Sequence, residues 1–280
     1  MKNNFLTKPS LSYLLPLLIA LAGCLCSTGC IPTEEYQRQV NLSAPLLPGS
    51  VFVAQTHNGS ITVTGAEVSD CNLTATITAK AESEQDAKKL AENVKIKLLP
   101  SEGRLTVRIE KPSPLVDKYV SVRLNATVPN QTVLELITHN GGIKITDITD
   151  KINGTTHNGG ISTSRISGAA KLQTHNGSIK CAQISGDIQL RTHNGGVKAI
   201  YSETAQPDSI SIVTHNGGIN FTAPPNFSAN VHASTHNGSI KTDLPITVVG
   251  RVGRGKLTGT IGSGRAKLHL ETHNGSIKIK

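Results

Sequence analysis

The chain has 280 residues, only 3% of them aromatic and none of them Trp, and it carries a formal net charge of +9. A core with so few rings must be built from Ile, Val, Leu and Ala, which suits regular stacked layers better than an irregular globule. Abundant Gly and Thr, with one short stretch of helical character, favour an all-β protein. Because no aromatic residue interleaves with the basic ones, we expect no nucleic-acid partner.

The first 23 residues have the features of a secretory signal peptide. Lys2 and Lys8 precede the apolar run LSYLLPLLIALAG, which is too short for a comfortable transmembrane helix. The run ends in Leu-Ala-Gly-Cys24, which resembles the lipobox of bacterial lipoproteins. That resemblance implies cleavage before Cys24 and its acylation, and therefore contact with a membrane through lipid chains. A cleavage site before Cys30 and a plain secretory signal are the alternatives.

Export changes how the rest of the chain is interpreted. Removal of Lys2 and Lys8 lowers the net charge to +7, and residues 24–49, polar and Pro-containing, are predicted to form a lipid anchor and flexible tether. We expect a cell-envelope location, at the outer membrane, in the periplasm or on the cell surface. The basic residues near the C-terminus indicate a solvated end or an anionic partner: Arg251, Arg254, Lys256, Arg265, Lys267, Lys278 and Lys280.

Residues 50–130 are predicted to form a β-rich entry region with one helix. Alternating apolar residues indicate strands in the segments 51–65, 71–81, 103–112 and 119–129. A helix at about 83–96 would begin at Ser83 as N-cap and bury a stripe containing Ala87, Leu90 and Ala91. We expect this region to cap the open end of the following domain.

From residue 131 onwards a repeat dominates. Thr-His-Asn-Gly occurs eight times in the chain, with spacings of 18, 18 and 18 between the second and fifth copies and then 22, 21 and 37. Apolar residues alternate on both sides of it and are interrupted again at Ile-Ser-Gly, which indicates strand, corner, strand, corner. Residues 131–280 are therefore predicted to be a parallel β-solenoid with coils of about 18–22 residues.

The whole stretch from 50 to 280 resembles a known family. Its strands, single amphipathic helix, Val128-Pro129, Asn-Gly corners and closing run GTIGSGRAKLHLETHNGSIKIK are similar to the bacterial "putative-adhesin" family of cell-envelope β-solenoids, a domain of unknown function. The resemblance implies a β-solenoid fold and an adhesin role. The chain departs from that family by repeating His at the corner.

The corner motif assigns a role to each residue. Asn tolerates left-handed backbone, Gly supplies positive φ, and stacked Asn amides can bond along the solenoid axis. Parity places Thr inside, and it places His outside with the variable, largely polar residue two positions earlier. The corner asparagines are Asn140, Asn158, Asn176, Asn194, Asn216, Asn237 and Asn274; the histidines of the repeat face are His139, His157, His175, His193, His215, His236 and His273. His57 belongs either to this row or to the entry region.

Three hypotheses explain the repeated histidine. Neutral imidazoles could simply stack over a structural corner. Neighbouring rings could share a Zn²⁺, Cu²⁺ or Ni²⁺ ion, though weakly, because a flat ladder offers two ligands where a tight site needs three or four. Protonation in acid could make the rings repel one another and loosen the ladder.

Catalysis has little support in the sequence. The acids near corners, Asp147, Asp150 and Asp187, do not hold one column, and no nucleophile recurs beside His with an orienting carboxylate. We therefore predict no enzyme, no small-molecule substrate and no cofactor. The predicted function is a lipid-anchored adhesin or scaffold that binds glycan or an envelope protein through its repetitive face, and the alternative is a low-affinity metal binder. Cys181 falls in an inward column as a small core residue, and pairing with Cys71 stays open.

Overall fold

The computed structural model describes residues 34–112, 119–248, 253 and 255–280. The signal peptide and the predicted lipidation site Cys24 lie outside these ranges. The strands are β1 (Glu34–Pro45), β2 (Val51–Asn58), β3 (Ile61–Ala66), β4 (Asp70–Ala81), β5 (Lys95–Ser101), β6 (Arg104–Glu110), β7 (Val120–Pro129), β8 (Val133–Asn140), β9 (Ile143–Ile148), β10 (Ile152–Asn158), β11 (Ile161–Ile166), β12 (Ala170–Asn176), β13 (Ile179–Ile184), β14 (Ile188–Asn194), β15 (Val197–Tyr201), β16 (Ser209–Asn216), β17 (Ile219–Thr222), β18 (Ala229–Asn237), β19 (Ile240–Thr242), β20 (Thr247–Val248), β21 (Lys256–Ile261), β22 (Ala266–Asn274) and β23 (Ile277–Ile279). The helix is α1 (Glu84–Asn93).

Two sheets form the walls of a flattened coil. One has the order β1-β4-β7-β3-β9-β11-β13-β15-β17-β23-β19, and the other has the order β20-β21-β18-β22-β16-β14-β12-β10-β8-β2-β6-β5. Each coil contributes one strand to each wall, and equivalent residues of successive coils pair in parallel register, as Ile143, Ile161 and Ile179 do. This confirms the predicted parallel β-solenoid.

The core lies between the walls and is built from the inward columns. The residues four positions after each corner histidine from His57 to His215, and after His273, are buried Ile or Val, and Phe52 and Phe221 are the largest fully buried side chains. Burial of each such side chain contributes about 1.5–3 kcal/mol. Because every coil repeats the same inward columns, the core continues through the stack without a break.

The entry end differs from the prediction in three places. Glu34–Pro45 form β1 and pair antiparallel with β4, so this part of the predicted tether is a strand. Its alternating side chains let Tyr36, Val40 and Leu42 pack on the core. Helix α1 begins after Ser83 as predicted but ends at Asn93, and Lys95 and Ile96 belong to β5. The first Thr-His-Asn-Gly copy, in β2 and β3, is a full coil of the solenoid, so the predicted boundary at 130 is wrong for this segment.

Two features close the C-terminal end. The last coil, β22 with β23, inserts between the coil of β16 and β17 and that of β18 and β19. Strand β21 then pairs antiparallel with β18, and β20 with β21. Spatial order and chain order therefore differ here. Within the parts of the chain that the structure describes, no helix is long and apolar enough to cross a membrane.

The second corner of the regular coils contains a residue in left-handed conformation. Asp147, Arg165 and Gln183 have φ of 60°, 52° and 54°, and each lies eight positions after a corner histidine. Strand pairing skips this residue and resumes at the following isoleucine. Arg165 donates to both carboxylate oxygens of Asp147, at 2.6 and 2.7 Å, across neighbouring coils.

Candidate functional site

The threonine of each corner faces the interior and bonds to the neighbouring coil. The hydroxyl of Thr156 donates to the carbonyl oxygen of Gly141 at 2.8 Å, and that of Thr174 donates to Gly159 at 2.8 Å. All eight corner threonines are buried. A buried hydroxyl without a partner would destabilise the corner, so this bond satisfies the one polar group that the motif places inside. The inward orientation of Thr is confirmed.

The corner asparagines form a continuous ladder of side-chain hydrogen bonds. In seven bonds of 2.7–2.8 Å, an amide nitrogen donates to the amide oxygen of the adjacent coil, and Asn58 at the start of the ladder is an acceptor. The ladder runs in the order Asn58, Asn140, Asn158, Asn176, Asn194, Asn216, Asn274 and Asn237. An inner asparagine thus makes two ladder bonds, which confirms the predicted stacking of amides along the axis.

The corner glycines are required for a different reason from the one predicted. Of the eight glycines that follow these asparagines, only Gly59 has a positive φ, and none of the ladder asparagines is left-handed. A Cβ on Gly159 would instead lie 2.1 Å from the carbonyl oxygen of Gly141. One on Gly160 would meet the nearest atom at 3.2 Å. Close approach of the backbones therefore explains why the first position is always Gly and the second is Gly or Ser.

The eight corner histidines stack into one continuous column, called the His row below. Ring centroids are 4.7–4.8 Å apart and the planes differ by 2–7°. All eight side chains are exposed. The order is His57, His139, His157, His175, His193, His215, His273 and His236. The row thus includes His57, which the sequence left open, and its spacing is within the range of offset aromatic stacking.

A groove runs beside the His row. It is formed by the rings on one side and, on the other, by the residues two positions earlier, which point outward as parity predicts. A section of about 560 Å³ extends from Thr155 and His157 to Glu271 and His273. A second section of about 340 Å³ continues it past Gln55, Ile137 and His57. The groove is shallow and crosses successive coils, so the imidazoles recur along it while the facing side chains vary.

Comparison with known proteins identifies the family. The family model described as Toastrack DUF4097 matches residues 51–280, which begins at the first strand of the first His-bearing coil. The chain belongs to the Toastrack family. The match confirms the resemblance drawn from the corners and the entry helix, and it covers every member of the His row.

Solved structures with a similar chain path come from Bacteroides, Parabacteroides and Clostridium species. A "putative adhesin" from Bacteroides fragilis is 14% identical, covers 87% of this chain and 97% of its own, and gives a TM-score of 0.47. A "putative cell adhesion protein" from Clostridium sporogenes is 11% identical, with coverage of 87% and 99% and a TM-score of 0.35. A "putative lipid binding protein" from Parabacteroides distasonis is 10% identical, with coverage of 73% and 78% and a TM-score of 0.39. No curated protein matches the chain.

The ring geometry of this Toastrack protein bears on the metal hypothesis. Nearly parallel rings 4.8 Å apart hold equivalent nitrogens farther apart than the roughly 4.2 Å that two Zn–N bonds can span. In residues 34–112, 119–248, 253 and 255–280 there is no group of three or more His, Cys, Asp or Glu side chains placed to hold a metal ion. In this arrangement each imidazole offers an ion one ligand.

A second histidine pair was missed by the sequence reasoning. His232 and His269 stack at 5.6 Å in the same wall, outside the Thr-His-Asn-Gly motif, and His269 Nε2 lies 3.3 Å from a carboxylate oxygen of Glu271. The two residues are each four positions before a corner histidine. Aligning that column would have paired them, but only the inserted last coil makes them neighbours in space.

The two cysteines among the residues that the structure describes are inert. Cys71 and Cys181 are both free and buried. Burial raises the pKa of each thiol to about 12, so both stay protonated at neutral pH. Cys181 is the small core residue that its column predicted.

Proposed function

We propose that this protein is a lipid-anchored adhesin or scaffold of the cell envelope that binds an extended, repetitive partner along the groove beside the His row. The partner is a glycan or another envelope component with a regular surface. The observation that carries the proposal is the groove, in which the imidazoles recur at every coil from His57 to His273 beside a column of largely polar side chains.

The shape of the groove favours a long partner over a small molecule. Small-molecule sites are concave pockets that enclose most of their ligand, whereas this groove is open along its length. A neutral imidazole presents one nitrogen donor and one acceptor, and Gln173, Thr155 and Arg191 add further donors or acceptors. These are the groups that hydrogen-bond sugar hydroxyls.

Repetition gives affinity without any single strong contact. Each coil adds an equivalent weak contact, and once one is made the next forms at high effective concentration. A row of weak contacts supports binding rather than catalysis, since binding needs neither a cofactor nor an activated nucleophile.

The anchor follows from Cys24, whose lipobox predicts acylation and attachment to a bacterial membrane. Acyl chains contribute about 0.8 kcal/mol per buried CH₂ group, so several chains hold a protein durably. In this arrangement residues 24–33 would separate the lipid from β1, and the solenoid would be displayed from the membrane surface. The test is metabolic labelling with palmitate: label and membrane fraction should both be lost in Cys24→Ala and kept in Cys30→Ala.

The groove is tested with oligosaccharides of increasing length. We expect affinity to rise with the number of coils spanned and to fall in the double variant Thr155→Ala, Gln173→Ala. The matched control is Thr146→Ala, Ser164→Ala, which removes similar polar groups from the opposite wall. Affinity that does not depend on length, or an equal loss in both variants, would refute binding in the groove.

Calorimetric titration of the same protein with Zn²⁺, Cu²⁺ and Ni²⁺ tests the alternative function, metal binding. We expect no saturable binding in the micromolar range, because no two equivalent nitrogens of the row can share an ion. Saturable binding that disappears when His157, His175 and His193 are changed to Gln would establish the metal binder instead.

A further inference from the structure

The outer surface of the other wall carries a line of lysines. This wall is the sheet in which β3, β9, β11, β13, β15, β17, β23 and β19 are neighbours in that order. On these strands, the residues five positions after the corner histidines pair with one another. In spatial order they are Thr62, Lys144, Ser162, Lys180, Lys198, Asn220, Lys278 and Lys241. The five lysines, called the lysine row, are all exposed. They extend over six strand spacings, or roughly 29 Å at about 4.8 Å each.

The lysine row is not neutralised by the protein. No ion pair is found for any of its five ammonium groups within the described ranges. On the seven strands β9, β11, β13, β15, β17, β23 and β19 the one acid is Asp147, which is paired with Arg165, and Asp243 directly follows β19. The columns on either side of the row are mostly Gly, Ser, Thr or Ala, which leave the ammonium groups accessible.

The corresponding column on the opposite wall differs in charge. Four positions before the corner histidines stand Val53, Glu135, Asn153, Lys171, Gln189, Ser211, His269 and His232. This column mixes both signs, and Glu135 pairs with Arg104 at 2.8 Å. A column that contains five lysines and no acid is therefore present on this wall and has no counterpart at the corresponding column of the other wall.

A line of exposed lysines is complementary to a linear polyanion. The side chains around the row indicate which class of polyanion fits. The exposed large apolar side chains of the described chain are Leu47, Leu99, Tyr119 and Ile137, none of which lies on β9, β11, β13, β15, β17, β23 or β19. A membrane-binding face needs such side chains to enter the interface. The rings of Tyr201 and Phe221 on these strands are buried, so bases of a nucleic acid would have no stacking platform.

We infer that the lysine row binds an anionic polysaccharide, aligned with the solenoid axis and carrying its acidic groups at regular intervals. Lys180 and Lys198 are on adjacent strands, as are Lys278 and Lys241, while a neutral residue separates Lys144 from Lys180 and Lys198 from Lys278. The chain thus offers charges at one and two strand spacings, a pattern that an extended polymer of acidic sugars can meet along its length. This site is on the wall opposite the groove and is independent of it.

The test is binding of the full chain, in neutral detergent, to immobilised polygalacturonate at low and high salt. We expect the affinity to fall as salt is raised, and to fall by about tenfold or more when all five lysines of the row are changed to Gln. The matched control changes five exposed lysines elsewhere to Gln, namely Lys88, Lys95, Lys151, Lys171 and Lys267. It has the same net charge and should bind nearly as the native chain does. Circular dichroism verifies folding, and Lys180→Glu with Lys198→Glu is the smaller variant should the fivefold one not fold.

Three results would overturn the inference. Equal loss in the row and control variants would mean that overall charge, not the row, holds the polymer. Binding to phosphatidylglycerol vesicles or to single-stranded DNA without binding to polygalacturonate would assign the row to a membrane or a nucleic acid. Loss of polygalacturonate binding in the double variant Thr155→Ala, Gln173→Ala would place this polymer in the groove. If neutral oligosaccharides do not bind in the groove, the proposed function fails, but the inference about the lysine row does not depend on that result.

Discussion

The central coils and the two ends of the solenoid satisfy the same requirement in different ways. From β8 to β17 each strand pairs with the equivalent strand of the neighbouring coil, and the Asn amide and Thr hydroxyl of each corner find their partners there. At the ends no identical neighbour exists, and antiparallel strands take its place: β1, β4 and β7 with α1 at the start, and β21 with β20 at the finish. Repetition therefore stabilises the middle, while irregular sequence is needed to end it, since an open sheet edge invites further pairing.

The largest expected loss of stability comes from replacing a glycine of the central coils, where two backbones approach closely. Replacing a glycine near the entry end, where only the backbone torsion is unfavourable, should cost less. Gly159→Ala places a Cβ 2.1 Å from a backbone oxygen and should cost about 3 kcal/mol or more. Gly103→Ala, in the β5–β6 hairpin at φ +64° with open space around it, should cost about 1–2 kcal/mol. Urea unfolding midpoints measure both.

The control for this prediction is the adjacent residue. Gly160→Ala meets its nearest atom at 3.2 Å and should be much milder than Gly159→Ala. If the two neighbouring variants lose equal stability, contact between the stacked backbones is not what fixes the first glycine.

Variants of the Asn ladder test whether an asparagine in the middle of the stack contributes more to stability than one at its end. Asn176→Ala removes two bonds of 2.8 Å, to Asn158 and from Asn194, and should cost about 1–3 kcal/mol. Asn237→Ala, at the end of the ladder, removes one bond of 2.7 Å and should cost about half as much. Thermal unfolding compares the two, and a larger loss at Asn237 would contradict an additive ladder.

The capping helix should be sensitive to its N-cap. Ser83 accepts a hydrogen bond from the backbone N–H of Asp86 at 3.2 Å, and Ser83→Ala should cost about 1 kcal/mol. The loss should appear first as faster hydrogen exchange in α1 and β1, with the central coils unchanged. Gln85→Ala, in the first turn, is the control that should leave exchange unaltered; faster exchange in the central coils would show that the cap and stack unfold as one unit.

The smallest effect is a pH dependence at the second corner. The guanidinium of Arg165 lowers the pKa of the Asp147 carboxyl, so the pair stabilises the fold at neutral pH, and this stabilisation is lost as the pH falls below about 4. Asp147→Asn should slightly lower the thermal midpoint near neutral pH, with the difference narrowing in acid. A difference between the two proteins that grows in acid would have the wrong sign and would contradict the pairing of Asp147 with Arg165.

Much of this fold could be predicted because its information is local. Apolar alternation, the 18-residue spacing and the Thr-His-Asn-Gly corners establish strand, corner and parity within a single coil, and stacking then repeats them. The positive φ predicted for the corner glycines was wrong for all except Gly59, because the spacing between coils, not the torsion of one residue, excludes a side chain from Gly159. That distance exists only once two coils are placed together.

The sequence by itself determined the class, the inward columns and the exposure of the His row, because period-two patterning needs no knowledge of neighbours. Only the tertiary structure decided which coil lies beside which. It places β22 between β16 and β18, pairs β1 with β4, and brings Lys198 and Lys278 into one line although 80 positions of chain separate them. Irregular loops after His193 break the period there, so sequence spacing does not identify the strand partners, and the order of both the His row and the lysine row follows from the pairing seen in the structure.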